Sequence, residues 1–274
     1  MKFDTLIKNG RVATATDTFA SDIGIAEENL APGASISHQV PRELVRIAKG
    51  VCRGNPVICE IGSRDALDGI YLSYALDAAE SHIFEPDPAS IGNCRANIAE
   101  YGQGLNIILN PVALSDRTGS AQFYAVDPDR SDNKDRGFSS MFPINPAYAS
   151  ARRGRIVQRR ITVATTTLDS YFDGRRQHPD LLWIDVEGAE KLVLAGGLST
   201  LRHVTLIYIE VSFRPMQIGK PLWWEIDELL RGRQFRLVKF IEASRLKGFL
   251  AVHGLLPNPP WRWNAVYLRS GRAD

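Results

Sequence analysis

The chain has 274 residues, 44% of them hydrophobic and 23% charged, which is long enough to bury a full core as one large domain or as one domain with an extension. Its longest apolar stretches, such as "VTLIYIEV", fall far short of the roughly 18 to 20 residues of a membrane span, and "MKFDTLIKNG" lacks the apolar centre of a signal peptide. A net charge of +2 argues against bulk nucleic-acid binding, and three cysteines without a C-x-x-C pair argue against a disulfide framework or a zinc site, so a reducing cytoplasm is expected.

Residues 1–37 read as an extension with a linker, and 38–274 as one domain. "FDTLIKNGRVATATDTFASDIGIA" alternates apolar and polar residues around Asn9-Gly10, which predicts a β-hairpin with a type I′ turn at that pair. The segment resembles the opening strands of the hydantoinase and dihydropyrimidinase family. That family's metal-binding H-x-H is missing, because the five histidines (38, 82, 178, 203, 253) are scattered singly, so no amidohydrolase activity is carried over. Such a hairpin is a candidate contact for a homo-oligomer. "APGASIS" follows as a linker and "PRELVRIAKGV" as a helix opening at Pro41.

From residue 55 short apolar runs alternate with helical stretches. "PVICEIG", "HIFEPD", "LNIILNPVAL", "DLLWIDV" and "VTLIYIEVSF" read as strands. "DGIYLSYALDAAE", "PASIGNCRANIAEYG", "GAEKLVLAGGLSTL" and "LWWEIDELLRGR" read as helices, with "FRLVKFIE" and "WNAVYLRS" as closing strands. This pattern predicts an α/β fold, a doubly wound and mostly parallel seven-stranded sheet covered on both faces. Sheets of this kind bind ligands at the carboxyl ends of their strands, where Glu60, Glu85, Asp185 and Glu210 fall. Gly62 permits a tight turn after the first strand, but its neighbours do not make a G-x-G-x-x-G fingerprint. Glu85, closing the second strand ahead of Pro86, is placed to accept hydrogen bonds from both hydroxyls of a ribose, which points to a nucleoside-containing cofactor.

In order along the chain, "EIGSRDALDG", "FEPD", "VALSDRTGSAQF", "TTTLDSYF", "LLWIDVEGAEKLVLAGG" and "AVYLR" resemble the FkbM-type methyltransferases over about residues 55–270. The resemblance implies a class I fold, S-adenosyl-L-methionine as methyl donor, and a hydroxyl acceptor on a sugar or natural-product scaffold. Carried over by position, Glu60, Gly62, Ser63 and Asp65 would cradle the methionine part, Glu85 with Pro86 the ribose, and Ala113 with Leu114 the adenine. Two departures stand out: "GSRDALDG" replaces the usual asparagine-containing glycine-rich loop, and Trp183 stands where lysine is usual.

Asp185 and Glu187, two apart, would share a face if the strand ran through them. Either they dress the start of the next helix, Asp185 as its cap, or they act on the acceptor. A hydroxyl is a poor nucleophile, so a carboxylate within reach can orient it and take its proton. Asp185 is the first candidate for that base and Glu187 the second. Two acids without a histidine make a poor metal signature, and none is expected.

On the acceptor side, "DPDRSDNKDRGFSSMFPINPAYASARRGRIVQRR" is long enough to be a lid or binding loop. Ser139 and Ser140 lie in its "GFSSM", and five arginines (152, 153, 155, 159, 160) cluster further on. Arg153 and Arg155 are candidates for an anionic small-molecule or saccharide acceptor. Trp223 is a candidate for sugar stacking. Competing readings are a nicotinamide-dependent oxidoreductase, which would lack both its glycine fingerprint and a Tyr-x-x-x-Lys pair, and a binding protein with a relict cofactor site.

Overall fold

The computed structural model describes residues 5–13, 18–25, 36–132, 137–151, 154–241, 243–255 and 258–270. The chain divides into two compact units, residues 1–36 and 37–274. In the first, β1 (Thr5–Ala13) and β2 (Thr18–Ile25) pair antiparallel. The hairpin exists, but its turn is not at Asn9-Gly10. That pair lies inside β1, where the register shifts between Ile7 and Gly10. A bulge is the other place in a strand where glycine is favoured, and residues 14–17, which link the strands, lie outside the described residues.

The second unit begins with α1 (Arg42–Val51), β3 (Val57–Ile61), α2 (Leu67–Leu76), β4 (Glu80–Phe84), α3 (Pro88–Tyr101) and β5 (Ile107–Asn110). Next come β6 (Ala113–Leu114), β7 (Gly119–Val126), α4 (Pro146–Ala151), β8 (Gln158–Thr166) and α5 (Leu168–Phe172). It closes with β9 (Leu181–Ile184), α6 (Glu190–Ala195), β10 (Leu206–Ser212), α7 (Trp223–Arg231), β11 (Phe235–Phe240), α8 (Arg245–Val252) and β12 (Arg262–Arg269).

Seven strands form one sheet in the order β11-β12-β10-β9-β3-β4-β5. The run from β10 to β5 is parallel, and β12 inserts antiparallel between β10 and β11. Alternate residues serve opposite faces, as the pleat requires. Leu181, Trp183, Leu206 and Tyr208 pack with Leu44 and Ala48 of α1 on one side. Leu182, Ile184, Ile207 and Ile209 pack with Val193 and Leu194 of α6 on the other. Burial on both faces is why these strands read as unbroken apolar runs. From β3 the chain steps outward to β4 and β5, then returns to β9 on the opposite side of β3. The crevice at this reversal is the expected ligand position.

Two expectations are corrected here. "LNIILNPVAL" is not one strand: Pro111 cannot donate to a ladder, and the chain leaves the main sheet at Asn110. It re-enters as β6 in a separate three-stranded sheet ordered β6-β8-β7, which the sequence reading passed over, as it did α8. The helix expected from Gly188 to Leu201 is also cut short, to α6 followed by a 3-10 turn at Thr200–Arg202. Gly196 lies against the Ser115 carbonyl, where an added Cβ would collide, and its own carbonyl accepts the Asp169 N–H at 2.9 Å. Asp169 in turn accepts from the N–H of Ser199 and from both N–H and Oγ1 of Thr200. "TTTLD" and "LAGG" are thus two halves of one packing contact.

Candidate active site

A cavity of about 820 Å³, counting the part open to solvent, lies at the carboxyl ends of β3, β4 and β9, where a sheet of this kind binds its ligand. Its walls come from the loop after β3 (Gly62, Ser63, Arg64), from Glu85 and Pro86 after β4, and from Val112, Ala113, Leu114 and Phe123 of the small sheet. Trp183, Asp185, Val186 and Glu187 close it on the β9 side. Trp183 is buried there, its ring stacked 4.2 Å from that of Tyr208.

Gly62 has φ +87°, and an added Cβ would run into the Asp185 carbonyl oxygen. Only glycine lets β3 and β9 end this close together while the backbone turns toward the cavity. At Glu85, Oε2 accepts the Arg64 N–H at 2.8 Å and Oε1 accepts the Asp87 N–H at 2.6 Å. Each oxygen keeps a lone pair for a further donor. Burial pushes the Glu85 carboxyl up to about 7, against the opposing pull of those two backbone donors.

Six of the eight expected cofactor residues line this cavity: Gly62, Ser63, Glu85, Pro86, Ala113 and Leu114. Glu60 and Asp65 do not, and the structure corrects both placements. Glu60 is buried against α2, where it accepts the Gly69 N–H at 3.0 Å. Asp65 accepts the Leu67 N–H and pairs with the Arg64 side chain 3.0 Å away, so it shapes the loop rather than facing the cavity. Gln39, Arg64, Asp68 and Ser90 line the cavity instead. A sequence carries no signal for Gln39, since it arrives from before α1.

The carboxylates also meet by a different route from the one expected. β9 stops at Ile184, so Asp185 and Glu187 do not share a strand face. Positive φ angles at Glu187 (50°) and Gly188 (124°) turn the chain back on itself. Nor does Asp185 cap α6, whose N-cap is Ala189 without a side-chain bond. Asp185, Glu187 and Glu210 bring carboxylate oxygens within 4.8 Å of one another. Glu190 sits beside them, its Oε1 accepting the Gly188 N–H at 2.9 Å.

Two cations answer these four acids. Lys220, fully buried at the side chain, lies 3.2 Å from Glu210 and 3.8 Å from Glu190. Arg262 places Nη1 3.0 Å from Glu187 and 2.7 Å from Glu210. Gln217 Nε2 donates to the second oxygen of Glu187 at 2.9 Å. Both oxygens of Glu187 and of Glu210 therefore have protein donors, and the set forms an ion-pair network. Asp185 Oδ1 is buried with no partner. Burial first, then the charges of Glu210 and Glu187, raise the Asp185 carboxyl well above its usual range. Burial first, then the charge of Glu210, pushes Glu187 up to about 7, against the pull of Lys220 and Arg262.

Of the expected acceptor residues, Ser139 lines the cavity. Ser140 is fully buried and does not: its Oγ donates to the Glu187 carbonyl at 2.7 Å and fixes that turn. Arg155 is exposed away from the cavity, its backbone N–H bonded to Asp132. Arg153 lies outside the described residues. Trp223 belongs to the core, only 6% exposed, with Nε1 donating to the Tyr267 hydroxyl at 3.1 Å. It has no free face for a sugar. Lys220, Gln217 and Arg262 were missed; nothing in "QIGKPL" or "WRW" separates them from ordinary loop residues.

A parallel sheet with one antiparallel strand inserted next to its edge, and a cavity at its reversal point, defines a class I methyltransferase, whose cofactor is S-adenosylmethionine. Residues 60–237 match the Methyltransferase FkbM domain family, and the chain belongs to that family. It is 31% identical over 185 residues to the 2-O-methyltransferase NoeI of Sinorhizobium fredii (strain NBRC 101917 / NGR234), covering 67% of this chain and 73% of that one. Solved structures similar to it include precorrin-6y C5,15-methyltransferase from Geobacter metallireducens GS-15, at 9% identity and TM-score 0.43, covering 86% of this chain and 94% of that one. Another is magnesium protoporphyrin IX methyltransferase from Synechocystis PCC 6803, at 11% identity and TM-score 0.44, covering 89% and 92%. Among the described residues no helix is long and apolar enough to cross a membrane.

Proposed function

We propose that this protein is an O-methyltransferase acting on a hydroxyl of a sugar or other small hydroxylated molecule, with Asp185 as the proton acceptor. The observation that carries the reading is the buried, unpartnered Oδ1 of Asp185 at the cavity wall, inside a cluster that raises its basicity. The 2-O-methyltransferase named among its relatives supports the same acceptor chemistry. The catalytic domain in this reading is residues 38–274, and its setting is the cytoplasm, where the free thiols Cys52, Cys59 and Cys94 stay reduced.

The cofactor supplies a methyl group on a sulfonium centre. Gly62 and Ser63 would border it at the end of β3, Glu85 would accept from the ribose hydroxyls, and Ala113 and Leu114 would flank the base from the small sheet. Asp185 would orient the acceptor hydroxyl and take its proton as the methyl carbon passes from sulfur to that oxygen, the C–S bond breaking to leave a neutral thioether. Glu187 is the less suitable base because Arg262 and Gln217 occupy both its oxygens. Arg262 and Lys220 keep Glu187, Glu190 and Glu210 paired, which leaves Asp185 as the open acceptor. Ser139 borders the acceptor end, and the exposed Arg155 plays no part.

Tritiated-methyl S-adenosylmethionine, incubated with a panel of glycosides bearing free hydroxyls, tests the reading. The expected product retains its label in mild alkali, as a methyl ether does. Asp185→Asn should abolish labelling and leave the affinity for S-adenosylhomocysteine unchanged. Label released as methanol would mark a carboxyl ester and overturn the hydroxyl assignment.

A further inference from the structure

Two separate sheets wall the cavity. The main sheet brings Gly62 and Ser63 after β3 and Asp185 and Glu187 after β9, while the small sheet brings Ala113, Leu114 and Phe123. The small sheet is thus the cofactor's wall and the end of β9 is the acceptor's. The distance between methyl donor and acceptor hydroxyl therefore depends on whatever ties the two sheets together. One tie is remote from the chemistry, at the C-cap of α6, where Gly196 lies against the Ser115 carbonyl. Ser140 makes another beside the cavity.

The backbone of Ser140 belongs to the small sheet's side. Its N–H donates to the Tyr124 carbonyl at 3.2 Å, and its carbonyl accepts the Tyr124 N–H at 2.7 Å, which bridges it to β7. Its Oγ reaches the other way and donates to the Glu187 carbonyl at 2.7 Å, while accepting the Phe142 N–H at 2.9 Å. The residue is wholly buried, so these bonds are not exchanged with water. The Phe142 ring then lies against Gly188 and Gly219, where added Cβ atoms would come within 3.4 and 3.2 Å of it. A hydroxyl and a ring together hold the turn at Glu187 and Gly188.

Asp185 depends on that turn. Its N–H donates to the Ile61 carbonyl at 3.0 Å, which fixes the backbone on the β9 side. Its Oδ1 has no partner to hold the carboxylate in place, so the position of the group follows from the backbone on either side. We propose that Ser140 is a positioning residue for methyl transfer, tying the Glu187 turn to the small sheet and so setting where the Asp185 carboxylate stands relative to the cofactor. This rests on the reading of Asp185 as proton acceptor and adds to it what holds that group in register.

Tritiated-methyl S-adenosylmethionine and the glycoside that the unaltered protein labels fastest give kcat and KM, and calorimetry with S-adenosylhomocysteine gives cofactor affinity. Ser140→Ala should lower kcat by roughly 10- to 100-fold, the scale of about 1 Å of misplacement between reacting groups. The glycoside KM and the S-adenosylhomocysteine affinity should each stay within about threefold, the tie being made to neither ligand. Ser140→Cys fills the same space with a weak donor and should lose turnover alongside it; it carries the comparison if Ser140→Ala does not fold. Phe142→Leu, which leaves the Ser140 bond and shrinks the ring, should lose turnover by a smaller factor. Near-normal turnover in Ser140→Ala or Ser140→Cys overturns the proposal. A loss of S-adenosylhomocysteine affinity that matches the loss of kcat also overturns it, since Ser140 would then support the fold at large. No label on any glycoside with the unaltered protein would instead remove the hydroxyl reading, and this assignment with it.

Discussion

Glu85 makes cofactor affinity depend on pH in a calculable way. Burial disfavours its charge and pushes its carboxyl up to about 7. Ribose hydroxyls donate to the ionised form, so binding pulls the group below 7 and releases a proton wherever Glu85 was protonated. Affinity is thus fully present above pH 7 and is lost as pH falls through it. Where the bound form stays ionised down to pH 6, the loss between pH 8 and pH 6 is about tenfold, or about 1.4 kcal/mol. Calorimetry with S-adenosylhomocysteine across pH 5.5 to 8, in buffers of different ionisation enthalpy, measures both the affinity and the protons released. Glu85→Gln should lower affinity at pH 8 and flatten its pH dependence, and its new amide group will also face the Arg64 or Asp87 N–H that the carboxylate satisfied. Because Glu187 also sits at about 7, Glu187→Gln is the control and should leave the slope in place. A slope that survives Glu85→Gln refutes the argument.

Gly62→Ala should lower the melting temperature by roughly 6 to 12 °C in scanning calorimetry. The left-handed backbone and the collision with Asp185 together cost about 3 kcal/mol, at roughly 2–4 °C per kcal/mol for a unit of this size; a shift under about 2 °C would mean that β3 and β9 can part freely. Arg262→Gln should destabilise the protein more at pH 8 than at pH 5.5. Glu187 has its folded value raised above the usual 4.5, so the folded state holds a proton that the unfolded state gives up, and the penalty accumulates as pH rises from 4.5 toward 7. Removing Arg262 pushes that window higher, and thermal melts that are parallel at both pH values would count against the ion-pair network.

The alternation of short apolar runs with helices was enough to specify a parallel sheet, because strands buried on both faces must be apolar throughout. The acids at the strand ends were legible for the same reason: Glu85, Asp185 and Glu210 each interrupt a run that burial would otherwise keep apolar. Gly62 stood out as the tight turn after the first strand. Local chemistry misled where one residue type serves two geometries. Asn9-Gly10 suits a turn and a bulge equally, and only strand pairing chose the bulge. Ser139 and Ser140 are neighbours in one motif, yet one faces the cavity and the other clamps the Glu187 turn.

What sequence determined by itself was the layered α/β architecture, the family, and which strand ends carry acid, since each follows from local periodicity or from a contiguous motif. Tertiary structure alone decided which groups share the site. Gln39, Asp68, Gln217, Lys220 and Arg262 come from segments up to more than two hundred residues apart, and their meeting depends on the reversal of the sheet at β3. It also decided that Trp223 is core and Asp185 is open, because burial and hydrogen-bond partners belong to neighbours in space. A charge pair formed across the fold leaves no periodicity along the chain.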